Sequence, residues 1–278
     1  MLCQLTTKAA IMTTKTEQAI RFLKQIPEGE DLFFAHSGGK DSVVCYDLIK
    51  RAGIKCSYKY NNTTIDPPKT IQFLKTNYPD VQIVNPPKSF FKLIEERGLP
   101  TRVGRFCCDE LKERSGIGKR IIEGVRAAES TTRKQYEPEQ CDTRKKMKGA
   151  KHYFPILNWS DKEVWQYIRE NNIPYMIYYD SPYNFKRHGC VGCPLAGGKQ
   201  QLKEFRIFPR YFYATLRAIK KRLDKKLENK FCRSFNDEYE AFYWWISGIS
   251  LDEFVRDKER LLFPIDYKTA VLESIKSR

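Results

Sequence analysis

Apolar and polar residues alternate along the chain in blocks that predict short buried strands followed by helices. An apolar run from Leu32 to Ala35 predicts the first strand, and residues 43–49 then place apolar side chains at helical spacing. Between them lies the polar stretch Ser37–Ser42, which contains two adjacent glycines. The pattern therefore predicts a strand that turns through a glycine-containing loop into a helix.

The same alternation continues beyond this unit. Predicted strands cover 55–60, 81–84 and 120–125, and predicted helices cover 16–26 and 89–97, whereas residues 1–15 carry no ordered pattern. Strands that alternate with helices are typical of a parallel sheet with helices on both faces. We therefore predict an α/β fold of this kind, with one domain over residues 16–198.

The rest of the chain changes character twice. Residues 131–151 are polar and contain the basic cluster 144–148, which predicts either a mobile excursion or contact strip over the site, or a solvated insertion with no role. Ser160 and Glu163 have the spacing of a capping box and predict a helix start. A basic helical pattern interrupted at Pro209 and an aromatic-rich tail then predict a helical extension over residues 199–278, packed on the first domain.

The composition of the chain bears on its partners, its cellular compartment and the state of its cysteines. The net charge of +16 predicts an anionic partner, either nucleic acid or only the phosphates of a nucleotide. No apolar run is long enough to span a bilayer and the first residues do not resemble a secretory signal, so we expect a cytoplasmic protein with no membrane partner. The nine cysteines are then expected as reduced thiols or metal ligands rather than as a disulfide framework.

The loop between the first strand and its helix has the chemistry of a phosphate cradle. Gly38 and Gly39 let successive backbone N–H groups converge on one oxyanion at a helix N-terminus. Lys40 adds a full positive charge, and Ser37 and Ser42 add hydroxyl donors. The loop is shorter than the G-x-x-x-x-G-K-[ST] loop, so we expect it to hold a pyrophosphate. An ordinary strand-to-helix turn with chance polar residues is the alternative interpretation.

A second polar turn follows the second predicted strand. It contains Asp66, which is placed at the carboxyl end of that strand, where α/β sheets bind their ligands. We therefore expect Asp66 to take part in ligand binding.

Four cysteines form the second candidate centre. Cys107 and Cys108 are adjacent, and Cys190 and Cys193 form a C-x-x-C pair further along the chain. Four thiolates could close a zinc site, but adjacent cysteines project in divergent directions. In a [4Fe–4S] cluster each thiolate binds a different iron, so we favour the cluster over zinc, with four unliganded thiols as the remaining alternative.

The motifs in this order resemble a known family. The Ser37–Ser42 loop, the turn at Asp66, the cysteine pair at 107–108, the segment 124–130 and the segment 189–195 are similar to the phosphoadenosine phosphosulfate reductase family. The loop itself resembles the PP-loop of the ATP pyrophosphatase superfamily. The resemblance covers about residues 31–216 and implies an adenine nucleotide α-hydrolase fold, which agrees with the predicted sheet.

The resemblance also implies an activity and a set of residues. ATP with Mg²⁺ is expected on the loop, with Asp41 helping to hold the metal and Gly124 and Glu129 in the nucleotide site. Lys40, Arg126 and Arg133 are expected to neutralise phosphate charge while an acceptor oxygen is adenylated, pyrophosphate leaves and sulfur displaces AMP. A sulfur donor protein, such as a cysteine desulfurase or a thioredoxin-like protein, is an implied partner, and nucleic acid is an implied acceptor. For Arg126, Glu129 and Arg133, a surface salt-bridge set is the alternative.

Two departures bear on the choice within the family. Sulfonucleotide reductases carry a nucleophilic cysteine in a terminal tail, whereas this sequence ends in Leu272–Arg278 without one. Their loop also commonly lacks the lysine that stands here at Lys40. Both departures favour an ATP-using enzyme. A sulfonucleotide reductase with an external thiol donor, and a non-catalytic nucleotide- and nucleic-acid-binding module with a structural metal, are the alternatives.

Overall fold

The computed structural model describes residues 2–261 and 263–276. Within them the chain forms six strands: Leu32–Ala35 (β1), Ser57–Asn61 (β2), Gln82–Val84 (β3), Arg120–Glu123 (β4), Glu139–Cys141 (β5) and Lys151–Tyr153 (β6). The helices are Leu2–Gln25 (α1), Lys40–Ala52 (α2), Thr70–Asn77 (α3), Phe90–Arg97 (α4), Asp161–Glu170 (α5), Gly198–Ile207 (α6), Pro209–Leu223 (α7), Lys230–Ser234 (α8), Glu238–Ser247 (α9), Leu251–Glu259 (α10) and Tyr267–Lys276 (α11). None of the helices in these ranges has both the length and the apolar character needed to cross a bilayer.

These elements fall into two compact units. The first comprises the described residues of 1–61, 68–85 and 113–188, and the second those of 62–67, 86–112 and 189–278. All six strands and α1, α2, α3 and α5 belong to the first unit, whereas α4 and α6–α11 belong to the second. The division into a domain ending at residue 198 and a C-terminal extension stays a prediction.

The first unit is built on a six-stranded mixed sheet of order β3-β2-β1-β4-β6-β5. β1 pairs in parallel with β2 and β4, β2 with β3, and β4 with β6, so the predicted α/β class and its parallel sheet are confirmed. β5 pairs antiparallel with β6 at the edge. The polar stretch 131–151, predicted as an excursion or insertion, therefore contributes β5 and the first residue of β6 to the sheet. Its three-residue edge strand is polar and carries no apolar alternation, so the sequence pattern could not reveal it.

The core of the first unit follows the side-chain alternation of β1. Leu32 and Phe34 join Val43 of α2 and Tyr167 of α5 in one buried cluster, whereas Phe33 packs against Ile121, Met147 and Ala150 in another. Side chains two residues apart point to the same face of a strand, so a continuous apolar run serves both faces. This packing fixes the end of β1, from which the loop departs.

The N-terminal helix corrects one expectation. α1 begins at Leu2 and not near Thr16, so the prediction of an unordered segment 1–15 was wrong. The threonines at 6, 7, 13 and 14 have low helix propensity and weakened the helical signal there. The predicted helix over 16–26 is the C-terminal part of α1.

The second unit is helical. α7 begins at Pro209, which separates it from α6 as predicted, because proline is tolerated in the first turn but not inside a helix. Phe205, Phe212 and Phe242 are fully buried, and their ring centroids lie 5.1–6.3 Å apart. These aromatic contacts join α6, α7 and α9.

Candidate functional site

The loop predicted as a phosphate cradle joins β1 to α2. Residues 36–39 connect the two elements, and Gly38 has a φ of +78°, which is in the left-handed region that favours glycine. A Cβ at Gly38 would also lie 3.3 Å from Nε2 of His188. The backbone can therefore turn tightly at this point only because residue 38 has no side chain.

The two serines of the loop bind one another. Their Oγ atoms are 2.7 Å apart, and Ser42 Oγ also accepts a hydrogen bond of 3.2 Å from the N–H of Ser37. Ser37 Oγ accepts a further bond of 3.3 Å from the N–H of Gly39. The hydroxyl groups of Ser37 and Ser42, predicted as ligand donors, thus hold the curvature of the loop.

Two buried cations and two carboxylates form a network at the start of α2. Lys40 Nζ lies 3.0 Å from Asp41 Oδ2 and 3.1 Å from Asp161 Oδ1. Arg126 Nε lies 2.5 Å from Asp41 Oδ1, and its Nη2 lies 3.0 Å from Asp161 Oδ1. The Lys40 and Arg126 side chains are only 5% and 4% exposed. The structure thus brings together the predicted residues Lys40, Asp41 and Arg126.

Asp161 is the member of this network that the sequence did not reveal. It is the first residue of α5 and follows Ser160, the N-cap of the predicted capping box. An acidic residue in a first helical turn is explained by the helix dipole alone, so its identity carried no functional signal. Its side chain is 62% exposed although it contacts two buried cations.

The segment after β4 brings Arg126 to the loop. A Cβ at Gly124 would lie 2.8 Å from the backbone C and O atoms of Asp41 and 3.0 Å from the N atom of Ser42. The end of β4 therefore approaches the first turn of α2 more closely than any residue with a side chain allows. This close approach explains why residue 124, which was predicted in the nucleotide site, is a glycine.

Glu129 and Arg133 form a separate pair beyond Arg126. Glu129 Oε2 accepts a hydrogen bond of 3.0 Å from the N–H of Arg126 and also forms an ion pair with Arg133. Both side chains are about one third exposed. Glu129 thus fixes the backbone at Arg126. The contact of Arg133 in this structure is a partly exposed salt bridge, as in the alternative interpretation of these residues.

Two further residues hold the loop and were not predicted from the sequence. Tyr179 Oη accepts hydrogen bonds from the N–H of Lys40, at 3.0 Å, and from the N–H of His188, at 3.2 Å. His36 Nδ1 accepts one of 3.0 Å from the N–H of Gly38. Burial lowers the pKa of His36 to about 3, with a smaller contribution from His188, so the ring is a neutral acceptor. Tyr179 is 139 positions from Lys40 in the sequence, and His36, although it precedes the loop, belongs to no motif, so neither residue gave a signal.

The four predicted cysteines lie together in the second unit. The hydrogen bond with Cys108 raises the pKa of the Cys107 thiol, and burial and the charges of Cys108, Cys190 and Cys193 raise it further. Each of these interactions requires proximity, so the adjacent pair and the C-x-x-C pair face a common region. Within residues 2–261 and 263–276, no group of three or more His, Cys, Asp or Glu residues is placed to hold one metal ion.

The backbone between Cys190 and Cys193 is braced by α6. The N–H of Gly192 donates to Glu204 Oε2 at 2.7 Å, and Gln201 Nε2 donates to the carbonyl of Gly192 at 3.0 Å. Gly192 has a φ of +71°, and a Cβ there would lie 2.3 Å from Cζ of Phe205. Buried polar side chains and a buried ring thus fix the conformation of the C-x-x-C turn.

Asp66 belongs to the same region of the second unit as these cysteines. Its Oδ2 accepts a hydrogen bond of 3.1 Å from the N–H of Thr63, and the thiol of Cys190 donates to Thr63 Oγ1 at 3.5 Å. Burial raises the pKa of Cys190 to about 12, although the charge of Lys112 lowers it. The structure thus places Asp66 in a polar cluster with Cys190.

Comparison with known proteins identifies the family. Residues 31–196 match the model of the phosphoadenosine phosphosulfate reductase domain, which is more than half of the chain. The chain belongs to this family. Every predicted site residue, from Ser37 to Cys193, lies within the matched range. The resemblance inferred from the motifs is confirmed.

Relatives of this phosphoadenosine phosphosulfate reductase family member have different names. An uncharacterized protein of Methanocaldococcus jannaschii is 31% identical over 195 residues, covering 66% of this chain and 46% of the relative, so the chain spans less than half of that protein. The adenosine 5'-phosphosulfate reductase of Oceanobacillus iheyensis is 27% identical over 59% of this chain and 72% of its own. The solved phosphoadenylyl-sulfate reductase of Candida auris is 17% identical with a TM-score of 0.47, over 62% of this chain and 88% of that one.

Proposed function

We propose that this family member binds ATP with Mg²⁺ and adenylates an acceptor oxygen, releasing pyrophosphate, for sulfur transfer. The observation that carries the proposal is the pair of buried cations, Lys40 and Arg126, at the N-terminus of α2 beside the glycine turn. Two buried cations at a helix N-terminus favour a polyphosphate, because the cations and the helix dipole both stabilise negative charge.

In the network at the start of α2, the two cations can exchange their carboxylate partners for the phosphates of a bound nucleotide. In the structure, Asp41 and Asp161 balance the charges of Lys40 and Arg126. Mg²⁺ prefers carboxylate oxygens and phosphate oxygens, so Asp41, with Asp161 beside it, is the proposed protein ligand of the metal. The two cations are then available to the phosphates, because their carboxylate partners bind the metal. Binding of ATP and Mg²⁺ is thus expected to be mutually dependent.

The proposed reaction has two displacement steps. The acceptor oxygen attacks the α-phosphorus, the bond to the β-phosphate oxygen breaks, and pyrophosphate leaves with the electron pair. A sulfur nucleophile then attacks the activated carbon or phosphorus of the acceptor, and AMP leaves. Lys40 and Arg126 neutralise the charge that develops on the leaving pyrophosphate, and the loop orients it. Arg133 is proposed to join them only if its pair with Glu129 opens.

The cysteines are proposed to hold a [4Fe–4S] cluster. The donor set suits this group in its chemistry, since the four thiols lie in one region and iron–sulfur clusters are held by cysteine thiolates. When bound, such a cluster supplies either a structural tie or an iron site for sulfur chemistry. An iron and acid-labile sulfide assay on anaerobic protein separates this proposal from zinc: about four irons and four sulfides per chain are expected, whereas one zinc per chain contradicts it.

The nucleotide proposal is tested by Lys40→Ala with Lys50→Ala as the matched control. Lys50 lies in the same helix, but it is exposed and pairs with Asp80. Losing a charge-assisted contact to phosphate costs about 1.5–3 kcal/mol, so Lys40→Ala should weaken ATP–Mg²⁺ binding by about 10- to 150-fold in calorimetry. Pyrophosphate release with sodium sulfide and an oligonucleotide acceptor should fall at least as much. Wild-type affinity in Lys40→Ala would contradict the proposal.

A second candidate function is supported by the names of the relatives. Several of them, at 26–29% identity, are adenosine 5'-phosphosulfate reductases. If this chain acts likewise with an external thiol, sulfite should be released from adenosine 5'-phosphosulfate in the presence of thioredoxin and without ATP. Strict dependence on ATP, with no sulfite formed, would exclude this function.

A further inference from the structure

The proposed chemistry does not use the most basic part of the chain. Between Lys199 and Lys226 there are ten Lys and Arg residues against two acidic ones. This stretch forms α6 and α7 of the second unit. An excess of cations along one helix is an electrostatic footprint of anionic partners, provided that the charges are not already paired within the protein.

Several of these cations are engaged within the fold. Lys220 pairs with Asp224 at 3.1 Å, and Lys221 pairs with Glu95 at 3.1 Å. Arg222 donates to the carbonyl of Glu96. The C-terminal cations of α7 therefore serve partly to dock this helix against the end of α4.

The N-terminal half of α7 presents a different surface. Arg210, Tyr213 and Arg217 are spaced at i, i+3 and i+7, so they lie along one face of the helix over about 10 Å. All three residues are exposed, and Tyr213 is 50% exposed. Neither arginine forms a salt bridge with a carboxylate in the part of the chain that the structure describes. We name this the Arg–Tyr–Arg face.

The chemistry of this face favours one class of ligand. A guanidinium group binds phosphate oxygens with a planar fork of donors, and an exposed tyrosine ring offers a stacking surface to a base. Alternation of the two along a helix suits a backbone of phosphates whose bases are unpaired. A duplex hides its base faces, and an anionic membrane or an acidic peptide would use the charges but gain nothing from stacking on Tyr213.

The position of the face links it to the cysteine region. Tyr211, in the first turn of α7, donates its hydroxyl to the main-chain carbonyl of Asp66 at 2.8 Å. The main-chain carbonyl of Ile65, next to it, accepts a bond of 2.8 Å from the N–H of Val191, between Cys190 and Cys193. The face thus begins at the turn that contacts the cysteine loop.

We infer that the Arg–Tyr–Arg face of α7, two unpaired arginines flanking an exposed tyrosine, binds single-stranded nucleic acid. Only the further step, that this strand is the sulfur acceptor, rests on the proposed function. Binding itself is independent of ATP.

The test measures fluorescence anisotropy of a labelled 12-nucleotide single strand, as DNA and as RNA, on the full chain. Arg210→Ala with Arg217→Ala should lower the salt slope, −dlogK/dlog[salt], by about 1.4, because each removed phosphate contact contributes about 0.7. Tyr213→Ala should weaken binding by about 5- to 150-fold, whereas Tyr213→Phe should retain wild-type affinity. The matched control is Lys88→Ala with Lys92→Ala, which removes the same net charge from two exposed, carboxylate-paired lysines.

Several outcomes would overturn the inference. One is equal affinity loss in the arginine variant and in the lysine control, which would indicate a general field of charge. Another is equal loss of binding to polyglutamate or to vesicles of anionic lipid, which would indicate a surface for any polyanion. Preference for duplex over the single strand would also contradict it. Lys40→Ala should bind the oligonucleotide normally, so failure of the ATP proposal and failure of this one remain distinguishable.

Discussion

Substitution of Gly124 by alanine tests whether the loop and the end of β4 form one precisely spaced unit. A Cβ at this position would lie 2.8 Å from two backbone atoms of Asp41, where an ordinary contact is 3.4–4 Å. Neither partner is a side chain that can rotate away. One of the two segments must therefore move by about half an ångström, and overpacking of this kind costs about 1–3 kcal/mol.

The displacement should affect ligand binding as well as stability. Asp41 is in the first turn of α2, and Arg126 lies two residues after Gly124, so the shift changes their contact of 2.5 Å. Losing one charge-assisted hydrogen bond to a phosphate costs about 1.5–3 kcal/mol, or about 10- to 150-fold in Kd. Gly124→Ala should show this loss for ATP–Mg²⁺ in calorimetry, together with a lower unfolding temperature.

Gly53→Ala is the control for a glycine substitution elsewhere in the first unit. Gly53 follows α2 with a φ of +70°, and a Cβ there would meet no atom within 4 Å. Alanine at this position should cost about 1 kcal/mol of stability through backbone strain but leave the ATP affinity unchanged. The reasoning would be refuted if Gly124→Ala bound ATP–Mg²⁺ like the wild type, or if both variants lost affinity equally.

Three further predictions concern pH and the cysteine turn. Burial lowers the pKa of His36 to about 3, so the stabilising contribution of the neutral ring is present above pH 6.5 and is lost as the pH falls toward 3, at about 1.4 kcal/mol per pH unit. His36→Asn should flatten this dependence of the unfolding free energy on pH, measured by urea unfolding. An unchanged slope would contradict the prediction. Burial alone would lower the pKa of His152, but its two carboxylate partners, Glu123 and Asp142, raise it. The stability that these ion pairs contribute is therefore present below pH 6.5 and is lost as the pH rises through the raised pKa. His152→Gln should remove this loss of stability in urea unfolding, and a loss that persists in the variant would count against the role of His152. Gly192→Ala should lower both the metal content and the unfolding temperature, because the added Cβ would lie 2.3 Å from the ring of Phe205. Gly197→Ala is the control, since a Cβ there meets no atom within 4 Å, and it should retain the metal. Equal loss of metal in the two variants would refute the steric argument.

Much of the first unit was predictable because its signals are local. The apolar run of β1, the glycine pair and the lysine stand next to one another, so periodicity and turn chemistry reveal the strand, the loop and the start of α2. The cysteine set was recognisable because C-x-x-C is a short motif with few structural explanations. β5 was not predicted, since a three-residue polar edge strand is stabilised by its pairing with β6 and not by its own composition.

By itself the sequence determined which chemical groups the two candidate centres contain: the glycine turn and Lys40 in the first unit, and the cysteines in the second. Only the tertiary structure decided their partners. Arg126 reaches Asp41 across 85 positions of the chain, and Tyr179 reaches Lys40 across 139. Asp161 joins the network solely because α5 begins beside it. Ion pairs and hydrogen bonds between distant residues depend on the packing of the sheet and its helices, and such contacts leave no periodic pattern in a single sequence.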